Sequence, residues 1–187
     1  MLVGPNVRLR PIREDELEAV YEHNLDLDAR GSWFPLDFSS LPQMRREYHD
    51  HGFWEQDHAM LVIVDHSETL LGSIFFYRRV TYHWWDSYEL AYRLFKPESH
   101  GHGYTTEAVS LLADYLFASR PVNRLEIVAA PENPASIRVA EKCGFAREGV
   151  ARGAFYLRGE HRDMVLMARL RTDPAPRPPM EATTRPR

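Results

Sequence analysis

Between one predicted strand and one predicted helix the chain reads Ser99-His100-Gly101-His102-Gly103-Tyr104, and this junction limits the possible folds more than any other segment. Upstream, Asp86 to Phe95 alternates as a strand does, with Tyr88, Leu90, Tyr92 and Leu94 on one face and Glu89, Ala91 and Arg93 on the other. Downstream, Tyr104 to Ala118 is a long apolar stretch of helical character. Glycines at such a junction let the backbone approach a ligand closely. The free amides of the first helical turn then face that ligand with a positive partial charge. The segment therefore suits a phosphate or pyrophosphate, or it is a tight turn whose glycines serve geometry alone. The third glycine of a dinucleotide fingerprint is missing, and no Gly-Lys-Ser/Thr follows as in a P-loop.

The remaining elements follow from periodicity and punctuation. Val7 to Ile12 alternates apolar with basic residues as a first strand. Glu14 to Asn24 carries Leu17, Val20 and Tyr21 at helical spacing, with acidic residues at its favourable N-terminal end. A second helix starts near Ser40, with Pro42 in its first turn and Met44 and Tyr48 facing inward. Gly31 to Phe38 between these helices is too apolar for a plain solvent loop. Ala59 to Val64 and Leu70 to Arg78 form a hairpin of buried strands. Leu125 to Ala129 is a strand. Pro134 to Cys143 is a helix with Asn133 placed to cap it and Gly144 to stop it. Phe145 to Tyr156 and His161 to Leu170 close the chain as a hairpin turned at Arg158-Gly159. The order is strand, two helices, three strands, helix, strand, helix, two strands, which is a mixed α/β sheet.

Composition sets the outer bounds. A length of 187 residues argues for one domain, here residues 1–171, followed from 172 to 187 by a Pro- and Arg-rich tail with almost nothing apolar to bury. A formal net charge of −4 gives no reason to expect nucleic acid as a direct partner. The single cysteine, Cys143, excludes an intrachain disulfide and a thiolate metal cluster. The N-terminus lacks the apolar core of a secretory signal, and no apolar run of roughly 18 residues is present to span a membrane. The expectation is a cytoplasmic protein, monomer or homodimer, without a metal.

Two segments together carry a family resemblance. Glu89-Leu90-Ala91-Tyr92-Arg93-Leu94, followed by Gly101-His102-Gly103-Tyr104-Thr105-Thr106-Glu107-Ala108, resembles the acetyl-coenzyme A motif of the GNAT N-acetyltransferases. Further on, Asn133-Pro134-Ala135-Ser136-Ile137-Arg138-Val139-Ala140-Glu141-Lys142-Cys143-Gly144-Phe145 resembles that superfamily's second motif, in wording similar to the ribosomal-protein alanine N-acetyltransferase branch. The resemblance implies a mostly antiparallel, splayed sheet of about seven strands flanked by about four helices. It implies acetyl-CoA wedged between the strands at Glu89–Phe95 and Leu125–Ala129. The pyrophosphate is expected on the amides of Gly101, His102, Gly103, Tyr104 and Thr105. Exposed backbone of Leu94 and Phe95 is expected to pair with the pantetheine arm, held also by Asn133, and His100 and Arg138 complete the expected cofactor set. His100 and His102 stand where family members often carry Arg, Gln or Lys. A two-histidine metal site there is a competing idea, but no partner carboxylate lies at a convincing spacing.

Direct acyl transfer needs a neutral amine, a polarised thioester carbonyl and a proton or hydrogen bond for the departing thiolate. Leu94 is the candidate backbone amide for the carbonyl. Ser136 is the candidate donor to the sulfur, or else a first-turn serine that caps backbone groups. The tyrosine that many members place four residues later is replaced by Ala140, so Tyr156 on the closing hairpin is a substitute acid or a buried aromatic. Glu89 is the candidate base or an ion-paired residue, with Glu160 and Asp163 as weaker substitutes. Phe155 stands where the resembling branch can carry another carboxylate. The aromatic residues Trp33, Phe34, Trp84 and Trp85 fall in segments expected to bind the acceptor, and core packing or a dimer contact are their other readings. Asp37, Asp57, Asp86 and Glu89 attract a cationic amine or are solvated surface charge. Three readings follow: acetylation of a protein N-terminus, acetylation of a small amine such as an antibiotic, polyamine or amino acid, or a non-catalytic acyl-CoA-binding regulator.

Overall fold

Ala59 to Val64 is apolar at every position because both faces of its strand are covered. The structure, a computed structural model, describes residues 1–27, 33–34, 39–82 and 85–174, with backbone alone at 80–82 and 85. Its strands are β1 (Leu2–Val3), β2 (Val7–Arg10), β3 (His58–Asp65), β4 (Leu70–Tyr82), β5 (Trp85–Leu94), β6 (Arg124–Ala129), β7 (Ala146–Leu157) and β8 (Glu160–Leu170). Its helices are α1 (Leu17–Leu25), α2 (Leu41–His51), α3 (Tyr104–Ser119) and α4 (Pro134–Lys142). Along β3, Ala59, Leu61 and Ile63 join a cluster with Val109, Leu112 and Leu116 of α3. Met60, Val62 and Val64 point the other way, into a cluster with Leu17 and Val20 of α1 and Met44 of α2. The period-2 alternation of the backbone divides one apolar run between two cores.

The strand order is β1-β2-β3-β4-β5-β6-β8-β7. Every neighbouring pair is antiparallel except β5 with β6. The sheet thus has eight strands among the described residues. The additional one, β1, is two residues long, too short to show an alternation, and is closed onto β2 by the Gly4 N–H to Val7 carbonyl bond of 2.9 Å.

Caps set the helix ends where the sequence puts them. Ser40 Oγ accepts from the Gln43 amide at 3.3 Å to open α2, and Asn133 Oδ1 accepts from the Ser136 amide at 3.1 Å to open α4. Gly144, at φ 82°, closes α4 as Phe145 N–H turns back to the Ala140 carbonyl at 3.0 Å. The first helix begins with a tight turn at Glu14–Glu16, where Glu16 accepts from the Arg13 amide at 2.9 Å.

Two features fix α3 and the middle of the sheet. Glu107, in the first turn of α3, accepts from the Asn6 and Val7 amides at 2.8 and 3.0 Å and from Asn6 Nδ2 at 2.9 Å, fastening that helix end to the β1–β2 turn. Gly72 lets β4 and β5 close up: a Cβ there would lie 2.2 Å from the Arg93 carbonyl oxygen. Beyond β8, Arg171 bonds the Val122 and Arg120 carbonyls at 2.7 and 2.6 Å, tying the last residue of the expected domain to the α3–β6 connection. From residue 175 onward the expected tail lies outside the described residues. Among the described residues no helix is long and apolar enough to cross a membrane.

Candidate active site

Strands β5 and β6 run parallel for only two register pairs, Tyr88 with Leu125 and Glu89 with Glu126. Beyond them the strands part. On β5 the antiparallel ladder with β4 continues to Leu94, opposite Gly72, and ends with Phe95 N–H bonded to the Leu71 carbonyl at 2.8 Å. Ladder alternation therefore turns the backbone polar groups of Leu90, Tyr92 and Leu94 away from β4 and toward the gap. This corrects one expectation: Leu94 offers its amide to the gap, whereas Phe95 gives its amide to β4. The Phe95 ring packs under α1, stacked on His23 at 4.6 Å between centroids.

The gap opens into a cavity of about 440 Å³. Its floor is Glu89, Ala91 and Tyr92 of β5 with Tyr77 and Arg79 of β4; Val128 and Ala129 at the end of β6 and Ala130 just after it also line it. One side is the start of α4, with Asn133 and Ser136, and the far wall is the β7–β8 hairpin, with Phe155, Arg162 and Met164. Trp33 and Phe34 line it too, which accounts for apolar residues in that connection. The turn of the hairpin reaches over, Arg158 donating to the Leu27 carbonyl at 3.4 Å.

Glu89 is buried, 3% exposed, on that floor. It accepts hydrogen bonds from the Tyr77 hydroxyl and from Arg79. Burial and the adjacent Glu89 carboxylate push the Tyr77 phenol well above its ordinary value, so it stays a donor. Ser136 is not merely a capping serine: its Oγ lies 2.9 Å from the Tyr92 hydroxyl, which also donates to the Ser136 carbonyl at 3.2 Å. Burial holds the Tyr92 phenol protonated far above its usual range. Alternation alone places Tyr92 on the face shared with Tyr88, Leu90 and Leu94; only the packing of α4 over that face brings it to Ser136.

Tyr156 does not join them, which corrects its assignment as a candidate acid. It is 63% exposed and stacks edge-on to His161, while its neighbours Phe155 and Leu157 line the cavity. The register of β7 against β8 shifts between Ala151 and Phe155, and that bulge decides which residues face inward. Of the substitute carboxylates, Asp163 accepts from the Gly153 amide at 2.8 Å inside the bulge, and Glu160 sits on the exposed side beside Arg162. Trp84 lies outside the described residues, and of Trp85 only the backbone is described.

At the mouth of the gap the loop at residues 100–103 enters α3. Gly101 and Gly103 have φ of 82° and 81°, a left-handed conformation that side chains resist, and a Cβ on either would meet nothing within 4 Å. The glycines are required by conformation rather than by crowding, and the space over them is open. The Glu107 amide bonds the Gly103 carbonyl at 3.0 Å, so the amides of Tyr104 and Thr105 belong to the unsatisfied first turn. His100 and His102 are exposed, with His102 stacked on Tyr104 at 5.4 Å. Among the described residues no three His, Cys, Asp or Glu side chains are grouped to hold a metal ion. Arg138 is exposed on α4 and does not line the cavity. Cys143 is fully buried, its thiol donating to the Thr106 carbonyl at 3.3 Å and pushed up by burial.

Comparison with known proteins gives a consistent result. Residues 6–146 match the family model of the acetyltransferase (GNAT) domain. The chain is 22% identical over 165 residues to the spermidine N(1)-acetyltransferase of Vibrio cholerae, covering 88% of this chain and 93% of that one. A crystal structure of spermidine N-acetyltransferase from Vibrio cholerae with CoA and spermine superposes with a TM-score of 0.77 at 22% identity, over 91% of this chain and 98% of that chain. RimL, a ribosomal L7/L12 alpha-N-protein acetyltransferase in complex with coenzyme A, gives 0.76 at 20% identity, over 90% of this chain and 96% of that chain.

Proposed function

Since the chain belongs to the GNAT acetyltransferase family, we propose that it moves the acetyl group of acetyl-CoA directly to a primary amine held in the cleft between β5 and β6. The observation that carries this reading is the parting of β5 from β6 after two register pairs, above a cavity lined by Glu89, Tyr92 and Ser136. The residues fit the cofactor: the parted edge of β5 leaves amides unpaired, and the left-handed glycine loop presents helix-start amides to an open space suited to a pyrophosphate.

Acetyl-CoA supplies the activated thioester; the chain's own residues do the rest. The Leu94 amide donates to the thioester carbonyl oxygen, and Asn133 orients the pantetheine arm. Glu89 takes a proton from the incoming ammonium, oriented by Tyr77 and Arg79, so that a neutral amine attacks. The Ser136–Tyr92 pair donates to the departing thiolate. Transfer is direct because Cys143 is buried in the core and its thiol is held protonated. The acceptor is a small amine or a peptide N-terminus, and the setting is the cytoplasm.

The test is turnover. Purified protein is incubated with acetyl-CoA and pools of amines and peptides, and free thiol and acetylated product are detected by mass. Product from one pool, abolished by Gly103→Val, is the expected result. Binding of acetyl-CoA without product from any pool would favour the regulator, and absence of binding would overturn the assignment of the cleft.

A further inference from the structure

We propose that the acceptor carries a carboxylate close to its amine, and that Arg162 reads that carboxylate; the inference rests on the cleft being the transfer site. The ionised side chains among the described residues lining the cleft are Arg79, Glu89 and Arg162, two guanidiniums against one carboxylate. Glu89 already has Arg79 as its counter-charge, with Tyr77 as a second donor. Arg162 is left in excess.

Arg162 projects from β8 on the face that also carries Met164 into the cleft, opposite Phe155 of β7. Among the described residues its one ionic partner is Glu160 at 2.7 Å, whose side chain is 68% exposed. An ion pair so open to water is weak. Arg162 Nε is buried and has no hydrogen-bond partner. A buried donor without an acceptor is costly, and a carboxylate meets a guanidinium fork with two parallel hydrogen bonds. A carboxylate entering the cleft satisfies that donor and restores charge balance. An acceptor with both groups then spans the site, its ammonium toward Glu89 and its carboxylate toward Arg162.

The same inventory argues against a polycation. Of the acids that might attract one, Asp37 lies outside the described residues, Asp86 is bound by Arg78 at 2.7 Å and Asp57 lies 3.5 Å from the same guanidinium, and neither Asp86 nor Asp57 lines the cleft. A polyamine such as the one named for the Vibrio cholerae relative brings further positive charges toward Arg79 and Arg162, with Glu89 the one acid among the described residues of the lining to receive them.

The experiment compares acceptors that share an amine and differ in charge: alanine with alaninamide, the peptides Ala-Glu-Ala, Ala-Gln-Ala and Ala-Lys-Ala, each as C-terminal amide, and spermidine. Acetylation is followed by thiol release and product mass. The expected result is a kcat/KM for one carboxylate acceptor roughly 10- to 100-fold above its uncharged partner, the range for hydrogen bonds to a charged group. Alanine over alaninamide identifies a free amino acid; Ala-Glu-Ala over Ala-Gln-Ala identifies an acidic peptide end. Arg162→Met collapses that ratio by raising KM for the carboxylate acceptor, and Arg162→Lys keeps part of it. Preference for spermidine or Ala-Lys-Ala, equal rates within each pair, or a ratio that survives Arg162→Met overturns the inference while leaving the transferase reading in place. Silence toward every acceptor overturns both.

Discussion

Ser136 owes its position to Asn133, whose side chain caps α4, and its chemistry to Tyr92 on the strand below. Ala140, four residues further along α4, is buried in the core, and the phenol beside Ser136 comes from β5. If this pair donates to the leaving sulfur, Tyr92→Phe lowers kcat by roughly 10²-fold with little change in the KM for acetyl-CoA, measured by steady-state kinetics. A second residue-scale prediction concerns His23, stacked on Phe95. Burial, together with Lys96 and Arg93, holds its pKa below the ordinary value. The folded state therefore resists protonating it, and the unfolded chain binds more protons through that interval. Its contribution is fully present above the ordinary histidine pKa of about 6.5 and is lost as pH falls through the lower folded value. Thermal unfolding followed from pH 8 down to 5 should show a falling Tm, and His23→Phe should flatten part of that fall.

At the scale of elements, the Gly72 position couples stability to ligand binding. A methyl group there meets the backbone of Arg93 and Leu94, which cannot move aside as a side chain can. Gly72→Ala should cost about 1–3 kcal/mol in urea unfolding and also weaken acetyl-CoA binding in calorimetry, because it displaces the strand that offers the Leu94 amide. Element order was readable because strand and helix periods differ and because Ser40, Asn133 and Gly144 mark their helix ends in plain chemistry. Four things were not readable, each for a physical reason. The two-residue β1 has no period. The direction of the Phe95 amide depends on which neighbour β5 pairs with at that point: Leu71 at the far end of the β4–β5 hairpin, or β6 beyond α3. The sequence offers Tyr156 as a substitute acid or a buried aromatic, but the bulge between Ala151 and Phe155 decides which side of β7 faces in, and a bulge leaves no alternation to read. Arg162 gave no local signal, since its surroundings are assembled by β4, β5 and β7.

Across the whole molecule, the arrangement is a sheet packed on both faces around β3 and β4 and open at the seam between β5 and β6. Core clusters on either side fix β3, β4 and the start of β5, while α3 is fastened through Glu107 to the opposite end of the sheet. Rigid walls on both sides leave β5 and β6 free to diverge where the backbone needs a ligand in place of a strand. The central claim is that acetyl-CoA completes that seam. Residue-resolved amide hydrogen exchange with and without acetyl-CoA tests it most directly. The account predicts new protection at the amides of Tyr92 and Leu94 and at residues 101–105, with Phe95 protected in both states by its bond to Leu71. Protection gained elsewhere, or none in these two segments at saturating acetyl-CoA, would contradict it.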